Sequence, residues 1–499
     1  MTTPPASTER ASQRRGSSPD FDVLIVGAGL SGIGAAYHIQ SRFPQKTYAI
    51  LEGRPRLGGT WDLFRYPGIR SDSDMYTLGY SFRPWTSPAA IADGPSILEY
   101  VRSTAQMYGI DRHIRFEHRA ISARWSSRDA RWTVQARTGE RVVELTCRFL
   151  FMCSGYYDYE NGYTPEFQGV DAFRGRVVHP QKWTEDIEYA GKRVVVIGSG
   201  ATAVTLVPEL AKRAAHVTML QRSPTYIMSI PEEDRIANWM RARFSDSAAY
   251  DVTRWKNIGL SMAFYNYCRR YPESAKHLLM KQTRRQLQGS GIDPDVHFKP
   301  RYNPWDERLC IVPDGDLFRA LRSGTASVVT DFIDRFDERG LLLRSGARLD
   351  ADLIVTATGL KLKFLGGMSL TIDDRPFEPP DHLTYKGSMC SDVPNLAVAI
   401  GYTNASWTLK CDLTCEYVCR ILAHMDRHGF DTCVPTNDDP SVEPLPLLDF
   451  SSGYVQRSIQ AFPRQGSKAP WRVYQNYVLD RATLRHGKLD DGALKFSRA

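Results

Sequence analysis

Near its N-terminus the chain reads Asp22-Val23-Leu24-Ile25-Val26-Gly27-Ala28-Gly29-Leu30-Ser31-Gly32, an apolar run that leads into three spaced glycines. Gly27 permits a tight turn, Gly29 lets a phosphate approach the backbone, and Gly32 allows a helix to pack closely on the strand. A helical pattern follows the last glycine. The stretch therefore predicts a βα unit that holds the pyrophosphate of a dinucleotide at a helix N-terminus.

The residues after this unit favour FAD as the dinucleotide. The predicted strand Thr47–Leu51 ends in Glu52, about twenty residues beyond the glycines, where a carboxylate binds ribose hydroxyls. A glycine pattern that stands alone, without such an acid, is sometimes no more than a tight turn between a strand and a helix. A second glycine turn, Gly58-Gly59-Thr60-Trp61, and the loop Arg65–Asp72 lie where a flavin chain would pass. The residues assigned to FAD on this basis are Gly27, Gly29, Ser31, Gly32, Glu52, Gly59, Thr60, Trp61 and Asp72.

A second fingerprint, Gly198-Ser199-Gly200-Ala201-Thr202-Ala203, follows the apolar run Arg193–Ile197. Alanine is accepted at its last position. The next predicted strand, His216–Leu220, ends in Gln221-Arg222-Ser223 with no acid. An arginine there suits a 2′-phosphate through bidentate hydrogen bonds, which predicts NADPH over NADH, whereas the alternative is a merely solvated Arg222. The residues assigned to NADPH on this basis are Ser199, Gly200, Ala201, Thr202, Arg222 and Ser223.

Length and composition indicate a soluble enzyme of more than one domain. The 499 residues exceed what one ordinary core holds. Hydrophobic residues make up 42% and charged residues 24%, as in globular enzymes. No apolar run approaches the roughly 18 residues of a membrane span, and residues 1–18 resemble a disordered tail rather than a signal peptide. The net charge of +8 without a dense basic block argues against nucleic acid as a partner.

The cysteines favour a reducing, cytoplasmic setting, because their number, nine, is odd and they are scattered. Cys411, Cys415 and Cys419 share one face of a predicted helix. A buried stripe of thiols is favoured over a metal site there, because no histidine or paired CxxC completes a tetrahedral ligand set. We predict no metal.

The predicted fold class is α/β, with two Rossmann-like dinucleotide-binding domains. The FAD domain is predicted over residues 19–165 and again over 385–499. The NADPH domain is predicted over residues 166–384, with a helical insertion at about 233–290. An amphipathic helix that lies on a membrane surface is the alternative interpretation of this insertion.

A further pattern precedes the second fingerprint and consists of Phe173, Gly175, His179 and Trp183. With the two glycine fingerprints around it, the chain resembles the type I Baeyer–Villiger monooxygenases, whose signature is F-x-G-x3-H-x3-W-P or W-D. Thr184 departs from that signature. Within the family the resemblance is closest to the ethionamide-activating group of actinobacterial enzymes. It covers roughly residues 20–497, and the segments that carry it are 58–79, 153–165, 300–318, 401–409 and 465–477.

The resemblance implies roles for residues that the glycine patterns do not reach. It places Arg308 over the flavin, as the cation that holds the anionic flavin peroxide, with Asp72 orienting it near the nicotinamide. It makes Trp471 and Asn476 part of a mobile loop that folds over NADP. It gives His179 a conformational role in the linker. It also adds Arg70 and Arg308 to the NADPH contacts, and Tyr402, at the start of a helix whose N-terminus faces the flavin, to the FAD contacts.

The resemblance implies an NADPH- and O2-dependent enzyme that converts ketones to esters or lactones through a flavin C4a-peroxide and also oxygenates sulfur. The helical insertion would shape the substrate side, and bulky residues such as Trp305 and Trp407 suggest an apolar ketone or thioether. The first alternative is oxygenation of sulfur or nitrogen alone. A disulfide reductase is rejected because the first cysteine is Cys147, far beyond the helix that carries a redox pair in that class. A flavin-binding regulatory protein without turnover is the third alternative.

Overall fold

The computed structural model describes residues 18–307, 309–448 and 452–498. Two separate sheets organise these residues, one behind each glycine fingerprint. Phe21–Val26 lies inside the first sheet and pairs in parallel with Tyr48–Leu51 on one side and Arg141–Met152 on the other. Its residues Val23 to Val26 are buried on both faces, which explains the unbroken apolar run that precedes Gly27.

The first sheet combines this parallel core with an antiparallel meander. Arg119–Ser126, Arg131–Thr138 and Arg141–Met152 pair antiparallel in succession. In order across the sheet the strands are Arg375–Pro376, Ser369–Ile372, Arg119–Ser126, Arg131–Thr138, Arg141–Met152, Phe21–Val26, Tyr48–Leu51 and Ile114–Arg115, with Leu396–Val398 also paired to Arg141–Met152.

The second sheet is parallel throughout. Its central strand, Arg193–Ile197, is buried from Val194 to Ile197 because both faces of the sheet are covered. Val194 and Val196 belong to the core formed with helix Ala201–Leu210, whereas Val195 and Ile197 belong to a core formed with Phe336 and Leu341 of a small antiparallel sheet. In order the strands are Ala326–Thr330, His216–Gln221, Arg193–Ile197, Leu353–Thr356 and Arg176–Val178. The two predicted dinucleotide-binding folds are therefore present, and the α/β class is confirmed.

Two helices cover the first sheet near its glycine turn. Leu30–Arg42 follows Gly29 directly, and its glycines and alanines are buried because Trp407–His428 packs against it. The α-helices among the described residues are Leu30–Arg42, Thr60–Leu63, Met75–Leu78, Gly94–Met107, Ala201–Leu210, Arg235–Arg241, Asp246–Arg270, Pro272–Gln286, Pro294–His297, Asp316–Arg322, Trp407–His428, Gly453–Gln456 and Tyr477–Arg481.

The predicted helical insertion consists of three of these helices, Arg235–Arg241, Asp246–Arg270 and Pro272–Gln286. Asp234 and Ser245 cap the first two by accepting hydrogen bonds from backbone N–H groups. No helix in the described part of the chain is both long and apolar enough to cross a membrane.

The chain crosses between the two sheets twice, and the two crossings lie side by side. Tyr157–Gly162 leads out of the first sheet and pairs antiparallel with Leu360–Leu362, which leads back. Ser369–Ile372 then rejoins the first sheet beside Arg119–Ser126. The chain therefore returns to the first sheet before residue 385, the predicted start of the second FAD segment. This return depends on pairing between two strands that are remote in sequence, which a local pattern does not reveal.

The remaining short elements frame the sheets. Four two-stranded ribbons pair Ile227–Ile230 with Cys310–Pro313, Thr384–Tyr385 with Met389–Cys390, Thr432–Pro435 with Leu494–Ser497, and Pro444–Pro446 with Arg464–Gly466. A three-stranded sheet is formed by Ile333–Asp337, Gly340–Leu343 and Arg348–Asp350.

All nine cysteines are buried, and none of them forms a disulfide. Cys411, Cys415 and Cys419 form the buried stripe that their spacing predicts on Trp407–His428. Within the described ranges, no cluster of three or more His, Cys, Asp or Glu side chains is arranged to hold a metal ion.

Candidate active site

A cavity of about 1070 Å³ lies between the two sheets. Gly27 and Gly29 of the first turn line it, and Ser199 and Gly200 of the second turn line it as well. The carboxyl ends of both parallel strand sets meet there, as expected for ligand clefts in such sheets. Both predicted nucleotide sites therefore open onto one shared space.

The first turn is built so that two of its glycines tolerate no side chain. Gly27 has φ +105°, and a Cβ added there would lie 2.6 Å from the carbonyl oxygen of Cys153. A Cβ on Gly32 would lie 1.8 Å from the carbonyl oxygen of Gly27. The turn is therefore pressed onto its helix and onto the neighbouring strand, which leaves its open side to the cavity.

Glu52, which directly follows the neighbouring strand Tyr48–Leu51, anchors the first turn through hydrogen bonds. One carboxylate oxygen accepts the N–H of Ala28 at 2.8 Å, and the other accepts the N–H of Arg54 at 3.0 Å. Burial raises the pKa of Glu52, whereas these two backbone donors lower it. The carboxylate also lines the cavity, so it holds the turn and faces the ligand space at once.

The other residues predicted for FAD surround the same part of the cavity. Ser31 accepts the indole N–H of Trp407 at 2.8 Å, which fixes its hydroxyl at the start of the long C-terminal helix. Tyr402 donates its hydroxyl proton to buried Asp480 at 2.6 Å. The predicted FAD residues that line the cavity are Gly27, Gly29, Ser31, Glu52, Gly59, Thr60, Trp61, Asp72 and Tyr402, whereas Gly32 lies beneath the turn.

The second turn is more open than the first. Gly198 has φ +136°, and a Cβ there would meet the carbonyl oxygen of Ala357 at 2.3 Å. Gly200 faces open space, with no atom within 4 Å of an added Cβ. Ser199 donates its hydroxyl proton to the carbonyl oxygen of Ser223 at 3.1 Å, which ties the turn to the end of the next strand. The predicted NADPH residues that line the cavity are Arg70, Ser199, Gly200, Ala201, Thr202, Arg222 and Ser223.

Residues of the loop Arg65–Asp72 bring the first domain against the second turn. The hydroxyl of Tyr66 is hydrogen-bonded to Thr202, and burial raises the pKa of Tyr66. Arg70 forms an ion pair with Asp316 at 2.6 Å. Asp72 lies close enough to Tyr66 for its charge to raise the same pKa. This loop therefore carries groups to the boundary between the two halves of the cavity.

Three cavity residues near Arg222 escape prediction from the sequence. The guanidinium of Arg457 lies 3.5 Å from the ring centroid of Tyr163. Partial burial lowers the pKa of Arg457, and the charge of Arg222 acts in the same direction. Burial raises the pKa of Glu307, while the charge of Arg222 lowers it. Two cations and one carboxyl group therefore face each other at the second site, although no local motif marks Arg457, Tyr163 or Glu307.

Two predicted contacts are not brought to the cavity. Trp471 is buried and packs edge-on against Tyr385 at 5.6 Å between ring centroids, outside the cavity lining. Asn476 caps the helix Tyr477–Arg481 by accepting two backbone N–H groups. Arg308 lies outside the described residues, while its neighbour Glu307 lines the cavity.

The predicted linker signature lies beside the two crossings and not in the cavity. The Nδ1 atom of His179 accepts the N–H of Gln181 at 3.2 Å, so the Nε2 atom carries the proton and donates to the carbonyl oxygen of Gly359 at 3.1 Å. Burial lowers the pKa of His179, in keeping with this neutral tautomer. The ring fills the space where Gly162 lacks a side chain, since a Cβ there would lie 2.0 Å from it.

The other signature residues pack around the second sheet. Gly175 lies against the ring of Phe173, where a Cβ would come within 2.4 Å of the ring. Trp183 is buried in the core of the NADPH domain. Thr184 hydrogen-bonds the carboxylate of Asp186 at the surface, and this bond lowers the pKa of Asp186. The departure at Thr184 therefore leaves the buried part of the signature unchanged.

Comparisons with known proteins agree with this architecture. Residues 25–89 match the model of an NAD(P)-binding Rossmann-like domain, and residues 87–244 match that of the flavin-binding monooxygenase-like family. The chain is 55% identical to the FAD-containing monooxygenase EthA of Mycobacterium tuberculosis, over 96% of this chain and 98% of that one. It is 52% identical to EthA of Mycolicibacterium smegmatis, over 96% and 97%.

The solved structures agree at the level of the fold. The structure of an oxidized steroid monooxygenase bound to NADP has a TM-score of 0.75 at 23% identity, over 96% of this chain and all of that one. The match therefore extends over nearly the whole of both chains. The chain belongs to the family of FAD-containing monooxygenases that includes EthA, as its motifs predict.

Proposed function

We propose that the chain is an NADPH- and O2-dependent flavin monooxygenase that converts apolar ketones to esters or lactones and also oxygenates sulfur. The observation that carries the proposal is the single cavity onto which both glycine turns open. A shared cavity allows a reduced nicotinamide to lie against a flavin, which hydride transfer requires. Membership of the EthA family supports the same pair of cofactors.

The first turn fits FAD. Each oxygen of Glu52 accepts one backbone N–H and keeps a lone pair for a ribose hydroxyl. Gly29 and Gly59 face each other, with 3.5 Å between an added Cβ on Gly29 and the Cα of Gly59, so no side chain stands between the turn and the cavity. Helix Leu30–Arg42 begins at this point and directs its N-terminus to the pyrophosphate.

The second turn fits NADPH. The open face of Gly200 admits a pyrophosphate, and helix Ala201–Leu210 begins immediately after it. A ribose diol is neutral and requires no cation, whereas a 2′-phosphate is negatively charged. The two neighbouring arginines, Arg222 and Arg457, therefore match a 2′-phosphate better than a diol. We assign the 2′-phosphate to this pair, and the ring of Tyr163 holds the guanidinium of Arg457 in place.

The flavin, when bound, supplies the reaction with O2, and the side chains of this protein supply position, charge and a dry cavity. We assign to Arg308 the cation that stabilises negative charge on the substrate oxygen. Asp72 lines the cavity and orients that cation. The buried, reduced cysteines support operation in a reducing, cytoplasmic compartment.

Labelled oxygen tests the reaction directly. We would supply the FAD-loaded protein with NADPH and 18O2 and offer an alkyl ketone and an aryl thioether in parallel. We expect an ester that carries one labelled oxygen and a labelled sulfoxide, both identified by mass spectrometry. Sulfoxide without ester would assign the enzyme to heteroatom oxygenation alone, and NADPH-dependent products from neither substrate would contradict the proposal.

The role of Arg308 has its own test. Arg308→Ala is expected to keep FAD but to abolish ester formation, because no cation then stabilises the developing charge. The matched control is Arg301→Ala, at an exposed position of the same segment, which should leave the ester yield unchanged. Ester formation at the unaltered rate in Arg308→Ala would remove this residue from the mechanism.

A further inference from the structure

The exposed apolar side chains of this protein are concentrated in two segments. Of the fifteen large apolar side chains that are exposed in the described part of the chain, nine lie in or just after the helical insertion and three lie near the C-terminus. Each of the twelve exposes about half of its surface. They are Ile236, Trp239, Phe244, Val252, Trp255, Leu260, Tyr271, Leu278, Val296, Tyr474, Val478 and Leu479.

On the longest helix these residues follow one face. Val252, Trp255 and Leu260 on Asp246–Arg270 recur at helical spacing, and the small residues Gly259 and Ala263 on the same face are exposed too. The opposite face of this helix packs on the protein through Tyr250, Arg254 and Ile258. The helix therefore has an apolar outer face in addition to its buried one.

Trp255 connects the insertion to the C-terminal segment. Its ring centroid lies 5.8 Å from that of Tyr477, and the guanidinium of Arg481 lies 5.3 Å from it. The neighbouring Val478 and Leu479 are exposed. The two segments thus contribute to one apolar outer face.

The same face adjoins the cavity. The side-chain oxygen of Gln475 accepts the N–H of Thr403 at 3.0 Å, and the backbone carbonyl oxygen of Gln475 accepts the side-chain amide N–H of Asn404 at 2.9 Å. Tyr402, the next residue before this pair, lines the cavity. The apolar outer face is therefore one short segment away from the cavity onto which both glycine turns open.

The insertion is also basic. Residues 235–286 contain eleven Lys and Arg but three Asp and Glu. Four of these cations pair with carboxylates outside this range, which leaves a net excess of four; the pairs are Arg254–Asp412, Lys256–Asp234, Arg269–Asp306 and Arg284–Asp295. Arg243 stacks on the exposed Trp239 at 4.6 Å, and Arg270, Lys281 and Arg285 are exposed. Positive charge therefore accompanies the apolar side chains.

We propose that this face docks on an anionic lipid surface, with the insertion and the Tyr474–Leu479 segment lying in the interface. Apolar side chains, aromatic rings and basic groups on one helical layer are the chemistry that inserts among anionic headgroups. A second copy of the chain is a poorer partner, because a two-fold dimer would bring the same basic surface against itself. The inference does not depend on which substrate is oxygenated.

Vesicle binding tests the proposal with the full-length, FAD-loaded protein. We expect co-sedimentation with vesicles of phosphatidylglycerol and phosphatidylcholine in equal parts, weakening as salt rises. Binding to pure phosphatidylcholine should be at least about tenfold weaker. The double variant Trp239→Glu/Val252→Glu should lose about tenfold in binding, whereas Met107→Glu, an equally exposed apolar residue on a distant helix, should lose none.

A charge variant keeps the test decisive if the apolar variant folds poorly. Lys281→Glu/Arg285→Glu alters exposed side chains only, and it should weaken binding to the anionic vesicles by a similar factor while FAD content and NADPH oxidation stay unchanged. Equal binding to neutral and anionic vesicles, or no binding to either, would overturn the proposal. Concentration-dependent dimerisation without lipid that Trp239→Glu/Val252→Glu abolishes would also overturn it and assign the face to a second copy.

Discussion

The two glycine turns occupy equivalent places in their sheets but carry opposite chemistry. The N–H of Gly27 donates to Leu51, and the N–H of Gly198 donates to Leu220, each at 2.8 Å. The residues that follow these acceptors, Glu52 and Gln221, are therefore structural equivalents. Glu52 faces the cavity, whereas Gln221 donates its amide away from it, to the carbonyl oxygen of His297 at 2.7 Å.

One backbone design can in this way serve two similar ligands. At the first site the buried carboxylate of Glu52 has lone pairs that suit a ribose diol. At the second site the equivalent residue, Gln221, is buried away from the cavity, and the next residue, Arg222, lines the cavity instead. A carboxylate would repel a 2′-phosphate, and an arginine would leave a ribose diol without acceptors, so we expect each site to disfavour the ligand that we assign to the other.

The largest expected effect comes from exchanging the last residues of the two fingerprints. Gly32→Ala would place a Cβ 1.8 Å from the carbonyl oxygen of Gly27, so we expect about 3 kcal/mol of destabilisation and loss of FAD. Ala203→Gly, the matched change at the second turn, creates no such clash and should cost about 1 kcal/mol. The stability of each variant is measured by thermal unfolding, and its FAD content by absorbance of the purified protein. A Gly32→Ala protein that retains its full FAD content would show that the first turn is not packed more tightly than the second.

The acid of the first site gives the next effect. Glu52→Gln replaces one acceptor oxygen with an amide donor, so the buried N–H of either Ala28 or Arg54 loses its partner at a cost of about 1–3 kcal/mol. We expect FAD to bind at least about tenfold more weakly, measured by fluorescence titration. Gln221→Glu at the equivalent place should lower stability but leave FAD affinity intact, and equal losses of FAD in both variants would argue against a specific role for Glu52.

The arginines of the second site should discriminate between coenzymes. Arg222→Ala and Arg457→Ala are each expected to raise the KM for NADPH about tenfold, or about 1.4 kcal/mol, because a charge-assisted contact to the 2′-phosphate is lost. The KM for NADH should change little. Arg335→Ala, which removes a surface ion pair with Asp334, serves as the control. A parallel rise for both coenzymes would place the 2′-phosphate elsewhere.

His179, which lies beside the two crossings between the sheets, gives the weakest of these effects. His179 has a lowered pKa when folded, so the unfolded chain binds more protons below about pH 6.5. Its contribution to stability is therefore constant above that pH and falls as the pH drops from about 6.5 toward the folded-state pKa. Thermal unfolding measured on either side of pH 6.5 should show a smaller pH-dependent loss in His179→Asn than in the unaltered protein, and an identical loss would contradict the assignment.

Local backbone demands explain what the sequence predicts well. Gly27, Gly32 and Gly198 are required by contacts within a few residues or by positive φ, and Glu52 follows its strand directly, so spacing alone reveals them. The helical insertion is equally visible because its periodicity spans whole helices. These features need no knowledge of distant chain segments.

Contacts between distant segments explain what the sequence does not predict. Arg457 reaches the second site from the residue directly after a four-residue helix far along the chain, and its partner Tyr163 directly follows a crossing. Ser369–Ile372 joins the first sheet by pairing with a strand that is remote in sequence. The packing of Trp471 against Tyr385 is likewise a tertiary contact that no local pattern encodes.

The paired crossings, Tyr157–Gly162 and Leu360–Leu362, have a mechanical consequence. Covalent crossings that lie side by side in one hydrogen-bonded ribbon restrict rotation less than widely separated crossings would. Non-covalent contacts such as the Arg70–Asp316 ion pair then help to hold the two domains together, and we expect bending of the ribbon to be their easiest relative motion. We therefore expect the second turn to move along an arc past the first when this ribbon bends, which would change the distance between the two glycine turns while each sheet stays intact.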